Sequence, residues 1–559
     1  MSICFKTPRI VEPAARLAML LLLLALGSLQ AQDLPTFTRQ DSLRGSITPE
    51  RSWWDLTFYD LAVSVDPGSQ TLSGSNSIHY TVLEPGQRLQ VDLQPPLQIE
   101  AVYQDGQELS FESEGNAHFV NLVKPQRPGA TEFVTVQYSG APKVAVRAPW
   151  DGGFSWAKDA KGQPFVATSC QGLGASVWWP VKDHMYDEPD SLAIAVTVPK
   201  PLMDVSNGRL RKIDEGNGTR TYHWFVANPI NNYGVNVNIA EYSHFSETYA
   251  GEKGPLDLDY YVLPEDLEKA REQFKQVPGM LEAFEYWFGP YPFYEDGYKL
   301  VQVPYLGMEH QSSVTYGNGY QNGYLGRDLS GTGWGLKFDF IIIHESGHEW
   351  FANNITYRDI ADMWIHESFT AYSENLYLDY HFGSQAAAEY TIGTRRNIRN
   401  DRPIIGAYDV NYEGSGDMYY KGANMLHTLR QLVEDDALWR DILRGLNRDF
   451  YHQTVTTGQI EEYLSRNTGK DLSAFFDQYL RTTLIPALEY RRKGDALEFR
   501  YTEIVEGFDM PLRIEVNGES RWIFPQAAWK SESVPAGAEV RFDPNFYIAI
   551  KPVDETSPR

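Results

Sequence analysis

The chain has 559 residues, too many for one hydrophobic core, so we expect about two to four domains. Its content of 42% hydrophobic and 22% charged residues is ordinary for a folded protein and excludes wholesale disorder. The formal net charge is −25, and no dense run of lysine and arginine occurs after the first few residues. This balance argues against a nucleic-acid partner, because phosphate binding needs basic patches.

The N-terminus has the pattern of a secretory signal. Basic residues precede an apolar run at 17–29, and small residues follow it. The run is shorter than the ~20 apolar residues that span a bilayer, so we expect cleavage of a signal at 1–32, with an uncleaved anchor as the alternative. The pattern predicts an exported protein, periplasmic or secreted, with no stable membrane span after removal of the signal.

The cysteine content excludes some chemistry. The chain contains only Cys4 and Cys170, and the first would leave with the signal. The mature chain can then form no internal disulfide, and a cysteine-ligated zinc site is excluded. We therefore expect large hydrophobic cores to stabilise the exported protein.

Three regions differ in their hydrophobic period. From about 53 to 247, alternating apolar residues rich in Val, Thr and Tyr predict antiparallel strands, and 249–256 has the composition of a linker. Helical spacing follows, and short strands return from about 489 to 553. The predicted helices begin at Pro264 and cover 340–354, 362–382, 421–434 and 457–466.

These patterns predict a multidomain α+β protein. We expect an N-terminal antiparallel β domain at 33–248, a mainly helical catalytic domain at 249–486 and a small β-sandwich domain at 487–559. No internal repeat is found in the sequence. The chemistry should therefore be sought in the helical region.

The clearest chemical motif is HESGH at 344–348. On a helix, His344 and His348 lie on one face, so both imidazoles can bind one cation. Zinc accepts histidine nitrogen and carboxylate oxygen, and a catalytic site keeps one position for water. Glu345 adjoins the first ligand and can accept a proton from that water. The motif predicts a site for one Zn²⁺ per chain, with Glu345 as the base.

A third ligand is needed, and Glu367 is the candidate. It follows His348 after 18 intervening residues, in a run that predicts a second helix with Asp362 as its N-cap and Gly383 at its end. A helix–loop–helix of this length can return Glu367 to the first helix. Without it, HESGH alone could be a chance match on a buried helix.

Several segments in a common order resemble the gluzincin zinc aminopeptidases, the family of aminopeptidase N and leukotriene hydrolase. Besides the two zinc-ligand segments, LGMEH at 306–310 is similar to the family's G-[AG]-M-E-N motif. YYKG at 419–422 is similar to its Y-x-K-G segment, and TSCQ at 168–171 resembles its substrate-contacting glutamine segment. The resemblance covers nearly the whole mature chain and implies a thermolysin-like catalytic domain.

The resemblance implies an aminopeptidase that removes N-terminal residues from peptides with a free N-terminus. Glu309 would bind the substrate's α-ammonium, assisted by Gln171 as an acceptor. Tyr419 would donate a hydrogen bond to the oxyanion that forms during hydrolysis. Without the resemblance, Glu309 and Gln171 would be interpreted as ordinary polar residues, and Tyr420 competes with Tyr419.

Two histidines depart from the family pattern, because His310 and His366 stand where many relatives have asparagine. We expect His310 to support the amine site rather than to bind the metal. Two alternative functions stay open: a non-catalytic peptide-binding or scaffold protein with a peptidase fold, and another zinc hydrolase, either an endopeptidase or an epoxide hydrolase. The sequence indicates neither an oligomeric state nor a side-chain preference.

Overall fold

The computed structural model describes residues 35–554, and its N-terminal half consists mainly of strands. Two short helices come first, α1 (Arg39–Gly45) and α2 (Pro49–Ser52). The strands that follow are β1 (Trp54–Asp66), β2 (Thr71–Val82), β3 (Arg88–Asp92), β4 (Gln98–Gln104), β5 (Gln107–Leu109), β6 (Phe111–Glu114), β7 (Ala117–Asn121), β8 (Thr131–Gly140), β9 (Gly153–Lys158), β10 (Pro164–Ser169), β11 (Ser191–Pro199), β12 (Met203–Val205), β13 (Arg209–Glu215), β14 (Thr219–Val226), β15 (Asn238–Ala240), β16 (Ser243–Gly251) and β17 (Gly254–Val262). The signal expected at 1–32 lies outside the described residues.

Strands β1 to β15 form three sheets. The largest has the order β13-β14-β11-β1-β2-β8-β4-β5, and the others have the orders β12-β15-β10-β9 and β3-β7-β6. Buried and exposed residues alternate along β1, as expected of a strand with one face on a core. The predicted antiparallel pairing has one exception, because β1 and β11 run parallel with Phe58 opposite Ser191. The long connection between them permits this, whereas a tight turn joins only antiparallel strands.

The segment 249–256 is not the linker that its composition suggests. It forms the ends of β16 and β17, which pair as an antiparallel hairpin with Gly251 opposite Gly254. The polar and glycine residues there serve the turn of the hairpin. The hairpin extends into a five-stranded mixed sheet of order β16-β17-β18-β20-β19. Its remaining strands are β18 (Tyr298–Gln302), β19 (Gly307–Met308) and β20 (Val314–Tyr316).

Helices dominate the region that follows. They are α3 (Leu267–Gln273), α4 (Gln276–Phe288), α5 (Phe340–Gly347), α6 (Trp364–Phe382), α7 (Ser384–Thr394), α8 (Tyr420–Val433), α9 (Asp436–Asp449), α10 (Thr457–Thr468) and α11 (Ser473–Arg481). A short parallel pair, β21 (Ile355–Tyr357) and β22 (Gln453–Val455), lies between them in the chain. The helix predicted over 340–354 is shorter, because α5 ends at Gly347 and turns follow.

Helix α6 is the centre of this region, and every residue from Trp364 to Leu378 is buried. It packs against α5, α7 and α8. The contact with α8 requires Gly422, because a Cβ there would lie 1.9 Å from Ser368 Oγ. The predicted cap of α6 is wrong: the Asp362 carboxylate accepts instead from Thr457 Oγ1 at 2.6 Å and from Thr457 N at 3.1 Å. Asp362 thus ties the start of α6 to α10.

The last described residues form two small sheets, with orders β27-β24-β23-β29 and β26-β25-β28. Their strands are β23 (Ala487–Lys493), β24 (Ala496–Thr502), β25 (Leu512–Val516), β26 (Glu519–Ile523), β27 (Lys530–Ser533), β28 (Val540–Phe542) and β29 (Ala549–Pro552). The predicted order of a β region, a helical region and a small β region is confirmed, while the domain boundaries stay predictions. Within 35–554, no helix has both the length and the apolar character needed to cross a bilayer.

Candidate active site

Helix α5 presents the HESGH motif. The Asp339 carboxylate caps its N-terminus by accepting from Ile341 N at 3.1 Å and Ile342 N at 3.4 Å. His344 lies in the last turn, and His348 is the C-cap with helical angles of φ −64° and ψ −18°. The two imidazoles therefore keep the i and i+4 alignment of a helix although the regular helix ends between them.

The structure brings the three predicted metal ligands together. Glu367 Oε2 lies 3.6 Å from His344 Nε2 and 3.5 Å from His348 Nε2, and it has no hydrogen-bond partner among the described residues. All three side chains are buried. Zinc bonds of about 2.0–2.1 Å in a tetrahedron put neighbouring ligand atoms roughly 3.3–3.5 Å apart. The donor types and their separations fit a zinc ion.

Three residues orient the histidine rings. His344 Nδ1 lies 2.8 Å from Glu374 Oε1, and His348 Nδ1 lies 3.0 Å from both Phe351 O and Thr370 Oγ1. Each Nδ1 can donate its proton to an acceptor there, which leaves the Nε2 lone pair for a metal.

Neither Glu374 nor Thr370 was singled out in the sequence. Both lie on the face of α6 that carries Glu367, with Thr370 three residues and Glu374 seven residues beyond it. Helical spacing was therefore the signal that points to them, once Glu367 had been chosen.

Mutual attraction within the triad of His344, His348 and Glu367 offsets the free-energy cost of burying its charged groups. Burial opposes ionisation of Glu367, but His348 and His344 hold the pKa of this carboxyl far below its ordinary value. Burial also opposes protonation of His344, whereas Glu367 and Glu374 raise the pKa of this imidazole well above its usual value. The carboxylates thus favour positive charge at this point, which a metal cation can supply.

Two more buried carboxylates face the same space. Glu309, Glu345 and His348 each offer an atom within 4.8 Å of the other two. Burial raises the pKa of Glu345 to about 7 and also raises the pKa of Glu309. Neither carboxylate forms an ion pair with a lysine or arginine of the described chain. The histidines are therefore the cationic groups of the described chain that lie nearest these two carboxylates.

Strand β19 brings Glu309 to this place. A Cβ at Gly307 would lie 2.7 Å from Ile341 Cγ2, so only glycine lets the strand approach α5 this closely. The Glu309 carbonyl accepts from Asn353 Nδ2 at 2.9 Å. The backbone before and after the carboxylate is thus fixed against the motif helix.

Two side chains orient the Glu309 carboxylate. Its Oε1 accepts from Gln171 Nε2 at 2.7 Å and from Tyr233 OH at 3.1 Å. The Gln171 nitrogen is used on Glu309, so the Gln171 carbonyl oxygen remains the atom that can accept from a ligand. The sequence does not single out Tyr233, which lies in no motif of the resemblance.

Of the two candidate tyrosines, Tyr419 is the one beside the triad. Its ring lies 6.0 Å from the His344 ring at an interplanar angle of 29°. Burial and nearby carboxylates, Glu367 first among them, raise the pKa of Tyr419 well above its usual value, so the hydroxyl stays protonated. For Tyr420, the carboxylate that most affects the pKa is Glu374. Glu374 contacts His344 at Nδ1, on the side of the ring away from Glu367.

The two unusual histidines do not join the metal ligands. His366 Nε2 accepts from Tyr357 N at 2.9 Å, and the two rings stack with centroids 4.0 Å apart. His310 is fully buried, and neither ring nitrogen has a hydrogen-bond partner among the described residues. Burial lowers the pKa of His310 to about 3, so this imidazole is neutral.

One cavity of about 900 Å³ joins these groups. Its walls include all of the site residues predicted from the sequence: Gln171, Glu309, His344, Glu345, His348, Glu367 and Tyr419. The cavity is large enough for a ligand of a few residues. A metal site, a base, an acidic pocket and a hydroxyl donor therefore face one cavity.

The sequence profile of the Peptidase family M1 domain matches residues 273–479, the part of the chain that contains α5, α6 and Tyr419. The chain contains an M1 peptidase domain. The resemblance to gluzincin aminopeptidases is thereby confirmed at the level of the family.

Comparison with other proteins extends the likeness beyond the M1 domain. The chain is 20% identical over 463 residues to the "Probable aminopeptidase 1" of Sulfurisphaera tokodaii, covering 78% of this chain and 55% of that protein. It is 23% identical over 375 residues to the "Leucyl aminopeptidase" of Saccharolobus solfataricus, covering 63% of this chain and 46% of that protein. The chain thus spans about half the length of the curated relatives it matches.

A solved structure shares the fold. It is a mutant of the M1 zinc metallopeptidase from Deinococcus radiodurans bound to a Tyr-Ser-Ala substrate, with a TM-score of 0.65 and 23% sequence identity. The match covers 79% of this chain and 98% of that one. At this identity the comparison supports the fold alone.

Proposed function

We propose that this protein is a zinc-dependent aminopeptidase, which hydrolyses the first peptide bond of peptides that have a free N-terminus. The observation that carries the proposal is the position of Glu309. A buried carboxylate beside Glu345, with no lysine or arginine partner in the described chain, lacks a positive charge. A substrate α-ammonium supplies that charge, and its first peptide bond then extends towards the histidines and Glu367.

The Glu309 carboxylate, as an anchor for the α-ammonium, favours an exopeptidase over an endopeptidase. Gln171 and Tyr233 hold the Glu309 carboxylate in one orientation, so the ammonium binds at a fixed place. An endopeptidase has to admit a chain that continues in this direction, and a buried carboxylate would meet uncharged backbone there. Peptides with a blocked N-terminus are therefore expected to bind poorly.

His344, His348 and Glu367 would hold the zinc ion. When bound, zinc supplies Lewis acidity, which polarises a carbonyl and lowers the pKa of a water molecule. Glu345 lies next to the first ligand and within 4.8 Å of a His348 donor atom, so its carboxylate can take a proton from water and return it to the leaving amine. Tyr419, kept protonated, can donate to the oxyanion.

We also propose that the protein is exported. The basic residues, the apolar run at 17–29 and the small residues after it support this proposal. Expression of the full chain in a host with a matching secretion system, followed by N-terminal sequencing of the product, tests it. A mature protein that begins near residue 33 is expected; a full-length product that stays inside the cell would contradict export.

The activity is tested by a paired measurement on purified protein: zinc content by elemental analysis and cleavage of a panel of amino-acid anilides with N-acetylated controls. We expect about one zinc per chain, and cleavage of free-amine anilides only. Zinc without cleavage of any substrate would support the scaffold alternative. Cleavage of acetylated anilides would mean that Glu309 is not an amine anchor.

A further inference from the structure

Arg402 is one of two cations in the wall of a mainly acidic cavity. The charged residues that line the cavity are the carboxylates Asp151, Glu309, Glu345, Glu367 and Glu413, the histidines of the triad, and the cations Lys143 and Arg402. Lys143 is exposed at the rim, whereas the Arg402 side chain is half-buried. Arg402 is therefore the cation that a ligand inside the cavity would meet away from bulk water.

The Arg402 guanidinium is mostly unpartnered. One Nη2 hydrogen bond goes to the Gly414 carbonyl at 2.9 Å, and Nε has no partner. No carboxylate of the described residues lies within ion-pair distance of it, although Arg402 is near enough to Glu413 to oppose the rise that burial causes in the pKa of that carboxyl. The guanidinium also lies 5.7 Å from the centroid of the Tyr412 ring. Guanidinium has five N–H groups in a fork that matches a carboxylate. A half-buried cation of this kind is costly unless something pairs with it.

The loop that carries Arg402 is held rigidly. Ser415 N donates to the Pro403 carbonyl at 2.9 Å, and Ile404 N donates to the Leu480 carbonyl at 3.0 Å. A Cβ at Gly414 would lie 1.6 Å from the Ile404 carbonyl oxygen, so the two arms of the loop touch. The same loop leads to Tyr419. Arg402 is thus positioned in advance relative to the reacting groups.

We propose that Arg402 binds the C-terminal carboxylate of short peptide substrates and so makes the enzyme selective for them. This inference rests on the proposed aminopeptidase function. A short peptide carries an ammonium at one end and a carboxylate at the other, and the cavity offers Glu309 for the first and Arg402 for the second. A cavity of about 900 Å³ has room for a peptide of a few residues.

The test compares three substrates with the same N-terminal residue, chosen as the best one in the anilide panel: a tripeptide, its C-terminal amide and the anilide. We expect the wild-type enzyme to cleave the acid with a kcat/KM about 10–100-fold above that of the amide, as for a lost charge-assisted hydrogen bond. Added salt should raise KM more for the acid than for the amide, because both use the Glu309 pair and the acid also uses Arg402.

Arg402→Gln should remove the preference, lowering kcat/KM for the acid at least about tenfold more than for the amide or the anilide. Arg402→Lys keeps the positive charge and should retain part of the preference for the acid. Arg399→Gln is the matched control, because Arg399 is exposed in the same loop and does not line the cavity. It should keep the wild-type ratio of acid to amide.

Each of the other outcomes would contradict either the role of Arg402 or the proposed function. Equal cleavage of acid and amide by the wild-type enzyme overturns the proposal, and would mean that Glu413 or solvent neutralises Arg402. An equal loss for all three substrates in Arg402→Gln also overturns it, since the arginine would then only hold the loop that leads to Tyr419. If Arg402→Gln does not fold, the wild-type ratio and Arg402→Lys decide. Absence of anilide cleavage by the wild-type enzyme would instead contradict the proposed function itself.

Discussion

Helices α6 and α9 bury their residues in opposite ways. In α9, the large buried side chains are Trp439, Ile442, Leu443 and Leu446, at the three- and four-residue spacing of an apolar stripe. In α6, burial extends all round the helix from Trp364 to Leu378. The buried residues of α6 include seven polar side chains: His366, Glu367, Ser368, Thr370, Ser373, Glu374 and Asn375.

This difference separates packing from chemistry. Burying a carboxylate costs several kcal/mol unless it is paired, so packing alone would not place two of them in one helix. Asn375 has ordinary structural bonds, to the Ala387 carbonyl at 2.9 Å and Thr391 Oγ1 at 2.6 Å. Glu367 Oε2 instead lies 3.6 Å from His344 Nε2 and 3.5 Å from His348 Nε2. In α6, the buried carboxylate that faces two imidazoles identifies the metal site.

The largest expected effect is at the base. Glu345→Gln keeps the size and removes the proton acceptor, so kcat should fall by about 10²–10⁴-fold while bound zinc stays near one per chain. Turnover numbers and elemental analysis of the same preparation measure both. Activity close to that of the wild-type enzyme would reject Glu345 as the base, and loss of zinc would mean that it is instead needed to hold the metal.

The next largest loss of activity is expected at Tyr419, which directly precedes α8. Tyr419→Phe should lower kcat by about 10²–10³-fold with little change in KM, because the hydroxyl acts on charge that develops only in the transition state. Tyr420→Phe is the matched control and should cost much less. Steady-state kinetics on the best anilide measure both variants, and a larger loss in Tyr420→Phe would exchange the two roles.

Glu374→Gln tests the support of the metal ligand. Weakening the bond to His344 Nδ1 should raise the zinc dissociation constant about 10–100-fold, as measured by competition with a chelator. Glu389→Gln, an exposed carboxylate on α7, is the control and should bind zinc like the wild-type protein. Equal affinities for the two variants would mean that Glu374 only packs α6.

The smallest expected effect is a loss of stability from a substitution in α9. Ile442→Val removes one methylene from the apolar stripe and should lower the free energy of unfolding by about 0.5–1.5 kcal/mol. Denaturant unfolding measures this change. Zinc affinity and kcat/KM at low temperature should be those of the wild-type protein; a change in either would show that α9 is coupled to the site and that the contrast between the helices is not complete.

The sequence predicts the parts of this site that depend on local spacing. HESGH, Glu367 and the end of α6 at Gly383 follow from the helical period and from glycine at a C-terminus. It does not predict contacts between distant segments. Asp362 resembles an N-cap but bonds Thr457, and β1 pairs in parallel with β11, because tertiary contacts outweigh local preference. Tyr233 belongs to no motif of the resemblance, and it also contacts Glu309 from a distant segment of the chain.

The central claim, that His344, His348 and Glu367 hold a catalytic zinc ion, is tested most directly by anomalous diffraction at the zinc edge. Crystals of zinc-loaded protein should give one strong anomalous peak at roughly 2.0–2.2 Å from His344 Nε2, His348 Nε2 and a Glu367 carboxylate oxygen. No peak at this position, or a peak held by other residues, would contradict the account.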